Sequence, residues 1–165
     1  MEKKYHDITY VFHSTSDHNE LIRSFIKKSN LFNCEIISDD KIKAHLLKKS
    51  IFAVAKSGTV SLEICKSKIP SIIFYKINLI NYIIIKMLVK TKFVNIINIA
   101  ANKEIIPELL QSKCNVKNIY KVVSEYLESP LKAEEQVRKT QIVLNSFRTI
   151  QSSSKLASQA LNKFL

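Results

Sequence analysis

The sequence predicts an α/β protein: a Rossmann-like parallel sheet with flanking helices and a helical C-terminus. Three observations predict it. Short β-branched runs alternate with longer segments of helical spacing, the runs are apolar on both faces as two-sided strands are, and from Pro107 onward the pattern turns helical. At 165 residues, 46% of them hydrophobic, the chain has the size of one ordinary domain.

The elements follow in order. Ile8 to Phe12 reads as a strand, and Ser16-Asp17 can cap a helix with Leu21, Ile22, Phe25 and Ile26 on one face. Cys34 to Ile37 is the next strand, with Asp39-Asp40 opening a helix through Ile42, Leu46 and Leu47. A third strand, Ile51 to Ala55, leads into a helix opened by Ser57-Gly58-Thr59, and Pro70 leads into the strand Ser71 to Tyr75. A helix is expected over 79–90 and a fifth strand over Phe93 to Asn98. After that PELLQ at 107–111, 116–128, the stretch from Pro130 to Phe147 and 155–164 all read as helical, with Ser152 to Ser154 marking a break. No internal repeat is visible.

Composition narrows the partners. The formal charge is +12, but only Arg23, Arg138 and Arg148 are arginines among 26 basic residues. Scattered lysine argues against nucleic acid as the partner, because base readout leans on arginine. Anionic lipid would feel the same charge. Cys34, Cys65 and Cys114 are far apart and odd in number, which fits reduced thiols in a cytoplasmic protein. The N-terminus MEKKYHDITYVF has no apolar signal core, and the apolar stretch 69–89 is interrupted by Lys76, Asn78, Asn81 and Lys86. Neither secretion nor a membrane span is expected. The segment 79–90 is apolar nearly all round, which suits a buried helix or a membrane-facing or domain-facing surface.

The chemistry concentrates in AKSGTVSLE at 55–63, which holds Gly58, the only glycine of the chain. It sits where a strand gives way to a helix, the place where ligands gather in parallel sheets. Unpaired N–H groups of a helix start attract phosphate, and a residue without Cβ lets it approach. Ser57 and Thr59 add hydroxyls, while Glu63 lies one turn beyond Thr59 and can accept from a ribose. A plain capped turn, with Ser as cap and Glu favouring the helix dipole, explains the same residues. Asp7, Asp17, Asp39 and Asp40 are available carboxylates at strand edges and helix starts, where capping is the favoured role, and His6, His13, His18 and His45 lack metal-ligand spacing. No catalytic residue, metal site or cofactor is assigned from the sequence.

Over a longer span, SGTVSLE followed by YKINLINYIIIKMLVKTKFVNIINIAANKEIIPELLQ resembles the nucleotide-donor half of the lipid-A-disaccharide synthase family, glycosyltransferases of the GT-B type with two Rossmann domains. The resemblance implies that Ser57, Gly58 and Thr59 hold the diphosphate of UDP, that Glu63 faces the nucleoside and that Asn98 lines the donor cleft. It implies transfer from UDP-2,3-diacylglucosamine to 2,3-diacylglucosamine 1-phosphate, at the inner face of the cytoplasmic membrane of Gram-negative bacteria. Departures stand at Ile97, where the family has Pro, at Asn102-Lys103 for Gly-Arg, and at Lys76 for Arg. Against the family pattern, 1–128 is expected to be a UDP-sugar-binding section lacking its first strand and 129–165 a set of C-terminal helices. The acceptor domain with its carboxylate is expected on a separate chain or lost, which favours oligomerisation of the uncovered sheet edge. Three functions remain open at this point: part of a two-chain transferase, a non-catalytic remnant, or a basic membrane- or nucleic-acid-binding module.

Overall fold

The computed structural model describes residues 5, 7–78, 81–82, 87, 91–147 and 153–162. It is an α/β structure with parallel sheets flanked by helices, divided after Ser50 into two compact units.

In the first unit β1 (Tyr10–His13) pairs in parallel with β2 (Cys34–Ile37), Tyr10 opposite Cys34 and His13 opposite Ile37. A short 3₁₀ turn, Ser16–His18, leads into α1 (Asn19–Lys28). The helix α2 (Asp40–Lys49) begins where the Asp39 carboxylate accepts from the N–H groups of Lys41 and Ile42, at 2.7 and 3.0 Å. That bond satisfies donors the first helical turn leaves unpaired.

In the second unit β3 (Ala53–Lys56), β4 (Ser71–Tyr75) and β5 (Glu108–Leu110) form a parallel sheet in that order. β3 feeds α3 (Thr59–Lys66), and α4 (Ile96–Ala101) precedes β5. α5 (Val116–Leu127), α6 (Pro130–Ser146) and α7 (Ser153–Leu161) follow. The middle strand is the most deeply buried, since it has neighbours on both edges and cover on both faces. Ile72 packs with Leu109 and Val123, and Phe52, Ile119, Val122 and Leu127 close round them.

The helix α6 belongs to this unit, packing on α3, α4 and α5. Its Gln136 amide is buried and treats Ser71 as a neighbouring strand would, accepting from the Ser71 N–H at 2.6 Å and donating to its carbonyl at 3.0 Å. The Gln136 NH2 also donates to the Tyr126 hydroxyl at 3.0 Å, and the Gln141 side chain donates to the Cys65 carbonyl at the end of α3, at 2.7 Å.

Four of the five expected strands form within two residues of their expected bounds. The fifth does not. Phe93 to Asn98 is not a strand: the Asn95 side chain accepts from the Ile97 N–H at 2.9 Å and starts α4. The β-branched run looks extended in isolation, but the cap decides it. The vacated place in the sheet is taken by Glu108–Leu110, from the PELLQ expected to be helical. Pro107 stands just before that strand, its carbonyl accepting from the Ile73 N–H at 2.9 Å. The helix expected over 79–90 lies for the most part outside the described residues. No helix among the described residues is long and apolar enough to cross a membrane.

Candidate functional site

At the carboxyl end of the second sheet, β3 stops at Lys56 and the chain turns through Ser57 and Gly58 into α3. Gly58 has φ +151° and ψ −167°, a conformation that residues with a side chain rarely adopt. Apart from the glycine and its two chain neighbours, no atom of the described residues lies within 4 Å of where a Cβ would sit, so the glycine is required by backbone conformation, and the space over it is open.

The turn is held from beneath. The Gly58 carbonyl accepts from the Ser61 N–H at 3.1 Å and from the Ser61 hydroxyl at 2.6 Å. Because N–H and C=O of one trans peptide point opposite ways, this directs the Thr59 N–H outward. The N–H groups of Thr59 and Val60 meet no acceptor among the described residues, and the first turn of α3 carries no acidic side chain. The end of the helix is therefore an open, partially positive surface.

Neighbouring groups complete the edge. The Lys56 ammonium lies 5.0 Å from the centre of the Tyr75 ring, at the adjacent end of β4, a cation–π contact that fixes a charge beside the turn. At the end of β5 the Gln111 amide pairs with the backbone of Ile77, accepting at 2.9 Å and donating at 3.1 Å. Burial raises the Cys65 thiol on the inner face of α3 to about 11, so it stays protonated and unreactive.

Ser57, Gly58, Thr59 and Glu63 thus come together on one turn and the first turns of one helix. Ser57 donates its hydroxyl to the Val94 carbonyl at 2.8 Å, so that proton is already committed. Glu63 is half-buried. Asn98, expected to line a cleft, is fully buried instead. Its NH2 donates to the Ile106 carbonyl and Glu108 at 2.7 and 2.8 Å, while its oxygen accepts from the Ile105 and Ile106 N–H groups at 2.8 and 2.9 Å. That spends all four of its hydrogen-bonding positions, three on the loop ahead of β5 and one on Glu108 at the strand's start.

The residues beneath the turn escape sequence reasoning. Glu108 is buried, yet it accepts from the N–H groups of Val94 and Asn95, each at 2.9 Å, and from Asn98. Asn95 in turn donates to the Ser61 hydroxyl at 3.0 Å. The one signal for this cluster is a carboxylate within the apolar run IIPELL. Two family departures also find their reason here. Ile97 supplies an N–H to the Asn95 cap that proline lacks. Asn102, in place of glycine, closes α4 at φ +47°, where Asn is among the best-tolerated residues.

The sequence profile described as lipid-A-disaccharide synthetase matches residues 1–164. The chain belongs to that family. The lipid-A-disaccharide synthase of Rickettsia prowazekii (strain Madrid E) is 36% identical over 166 aligned positions, covering 99% of this chain and 43% of that protein. That of Rickettsia bellii (strain OSU 85-389) is 39% identical over 128 positions, 78% of this chain and 32% of the relative. That of Rickettsia conorii (strain ATCC VR-613 / Malish 7) is 41% identical over 127 positions, 77% and 28% respectively. The chain spans less than half the length of the curated relatives it matches.

Proposed function

We propose that this chain forms the nucleotide-donor half of a lipid A glycosyltransferase that joins UDP-2,3-diacylglucosamine to 2,3-diacylglucosamine 1-phosphate. The observation that carries this reading is the open turn at Gly58, where the Thr59 N–H is turned outward and neither it nor the Val60 N–H meets an acceptor among the described residues. The diphosphate of UDP would lie over Gly58, against those N–H groups and the Thr59 hydroxyl, with Lys56 as a neighbouring cation and Glu63 a turn further on for the ribose. Ser57 would contribute by fixing the turn through Val94.

In the transfer, the acceptor hydroxyl oxygen forms a bond to the anomeric carbon as the bond from that carbon to the diphosphate breaks. The departing UDP takes the electron pair, and the helix end and Lys56 offset the charge it gains. A carboxylate from the acceptor half takes the hydroxyl proton. The acylated substrates would place the reaction at the inner membrane surface, with the protein on the cytoplasmic side.

Calorimetric titration of the chain with UDP tests the reading. Weak, millimolar-range binding is expected, with no disaccharide formed by the chain alone. A chain shown by circular dichroism to be folded, and giving no heat with millimolar UDP, would overturn nucleotide binding here.

A further inference from the structure

We infer that Glu108 is a positioning residue for the Gly58 turn, acting through Val94, Asn95 and Ser61; its importance for binding rests on the nucleotide reading above. Glu108 is only 8% exposed, and among the described residues no cation lies within ion-pair reach of it. A carboxylate buried without a cation is costly, and three N–H donors are what make it tolerable. An apolar side chain between β5 and α4 would leave the N–H groups of Val94 and Asn95 and the Asn98 amide without this acceptor. What the carboxylate does in addition is lock one short segment, since two of its donors are the consecutive backbone N–H groups of Val94 and Asn95.

That segment is tied to the turn at two points, one on each side of the Gly58 Cα. The Val94 carbonyl accepts the Ser57 hydroxyl ahead of Gly58. The Asn95 side chain, through the Ser61 hydroxyl, holds the Gly58 carbonyl behind it. One tether anchors the Ser57 side chain and the other fixes the Gly58–Thr59 peptide plane through its carbonyl. They hold the Thr59 N–H outward at a residue whose own backbone is the most permissive in the chain. The path Glu108, Val94–Asn95, Ser57 and Ser61, Gly58 is continuous in hydrogen bonds and joins β5 to the start of α3.

Because Gly58 is the only glycine, protein labelled with ¹⁵N-glycine gives one amide resonance, a direct report on the turn. Glu108→Gln keeps the shape but places an NH2 against a backbone N–H. Its Gly58 resonance is expected to move or split, its amide exchange to speed up, and its affinity for UDP to fall about tenfold. Glu108→Asp, which keeps the charge, should restore part of each. Gln136→Leu disrupts an equally buried amide at the opposite end of β4 and should lower stability while leaving both the resonance and the affinity in place. If Glu108→Gln does not fold, Asn95→Ala cuts the link to Ser61 and carries the same expectation for the resonance. A folded Glu108→Gln, or Asn95→Ala in its stead, with a Gly58 resonance and exchange rate superimposed on the parent's overturns the inference whatever UDP does. A parent resonance that ignores millimolar UDP defeats the nucleotide reading instead, and the wiring is then judged on the variant's resonance alone.

Discussion

In the first unit, two parallel strands with their helices leave Phe25 61% and Phe32 71% exposed, whereas in the second Ile72 and Ile73, on the middle strand of three, are wholly buried. Both units use the same local devices. Asp39 caps α2 much as Asn95 caps α4 and Asn115 caps α5. The difference lies in the number of strands. With two strands neither has partners on both edges, and every buried apolar side chain among the described residues belongs to the second unit. Local signals fold segments; a sheet with a middle strand is what makes a core. The candidate site stands on the unit that has one, so its geometry rests on rigid elements.

The sharpest way to break this comparison is to truncate one large side chain in each unit. Ile72→Ala removes fully buried methylenes from a core closed by Leu109 and Val123, and should cost about 2–5 kcal/mol. Phe25→Ala, on the exposed face of α1, should cost about 0.5 kcal/mol or less. Urea unfolding of both variants checks this. Equal losses would mean that the first unit buries Phe25 in solution, and the contrast would fall.

The same contrast explains what the sequence made legible. Strands β1 to β4 were readable because each is a β-branched run bounded by turn residues, and that signal is local. Glu108–Leu110 is too short to show alternation, and its Glu reads as surface until Val94 and Asn95 are seen to close on it. The turn at Gly58 stood out because the chain uses glycine nowhere else. The cluster beneath it, Ser61, Asn95 and Glu108, is joined across 13 to 34 residues of sequence, and no periodicity records such pairings. Asn98, assigned to the donor cleft by the family resemblance, is fully buried, and its four side-chain bonds to Ile105, Ile106 and Glu108 are again pairings that no periodicity records.

A smaller effect should follow alkaline pH in the buried unit. Burial raises the Cys65 thiol to about 11 from 9.0. The folded state therefore keeps a proton that the unfolded chain releases above pH 9, so stability is full below that pH and falls as pH rises towards 11. Cys65→Ala loses packing at neutral pH but has no thiol to titrate. The stability gap between parent and variant, from urea unfolding at pH 7 and pH 10.5, should narrow by about 2 kcal/mol. An unchanged gap would mean that the thiol is hydrated and α3 less firmly seated than its buried Ile64 and Cys65 indicate.

The smallest effect is the one that sharpens the account of the first unit. Asp39 accepts two N–H groups at the start of α2, and beside it Asp40 pairs with Lys43 at 2.7 Å. The Lys43 ammonium, hydrogen-bonded to Asp40, holds that carboxyl below the usual carboxylate range, but Asp40 is fully exposed and water screens the pair. The cap is the stronger device, because a lost cap leaves helix donors unpaired in every solvent. Asp39→Ala should therefore cost about 1 kcal/mol and Asp40→Asn less. In a unit without a buried core that loss has no packing to absorb it. Amide exchange should speed up through Lys41 to Lys43 in Asp39→Ala, while the amides of Ile72 and Ile73 keep their protection. If the β4 amides lost protection in step with those of α2, the two units would unfold as one, and capping in the first would be a property of the whole chain.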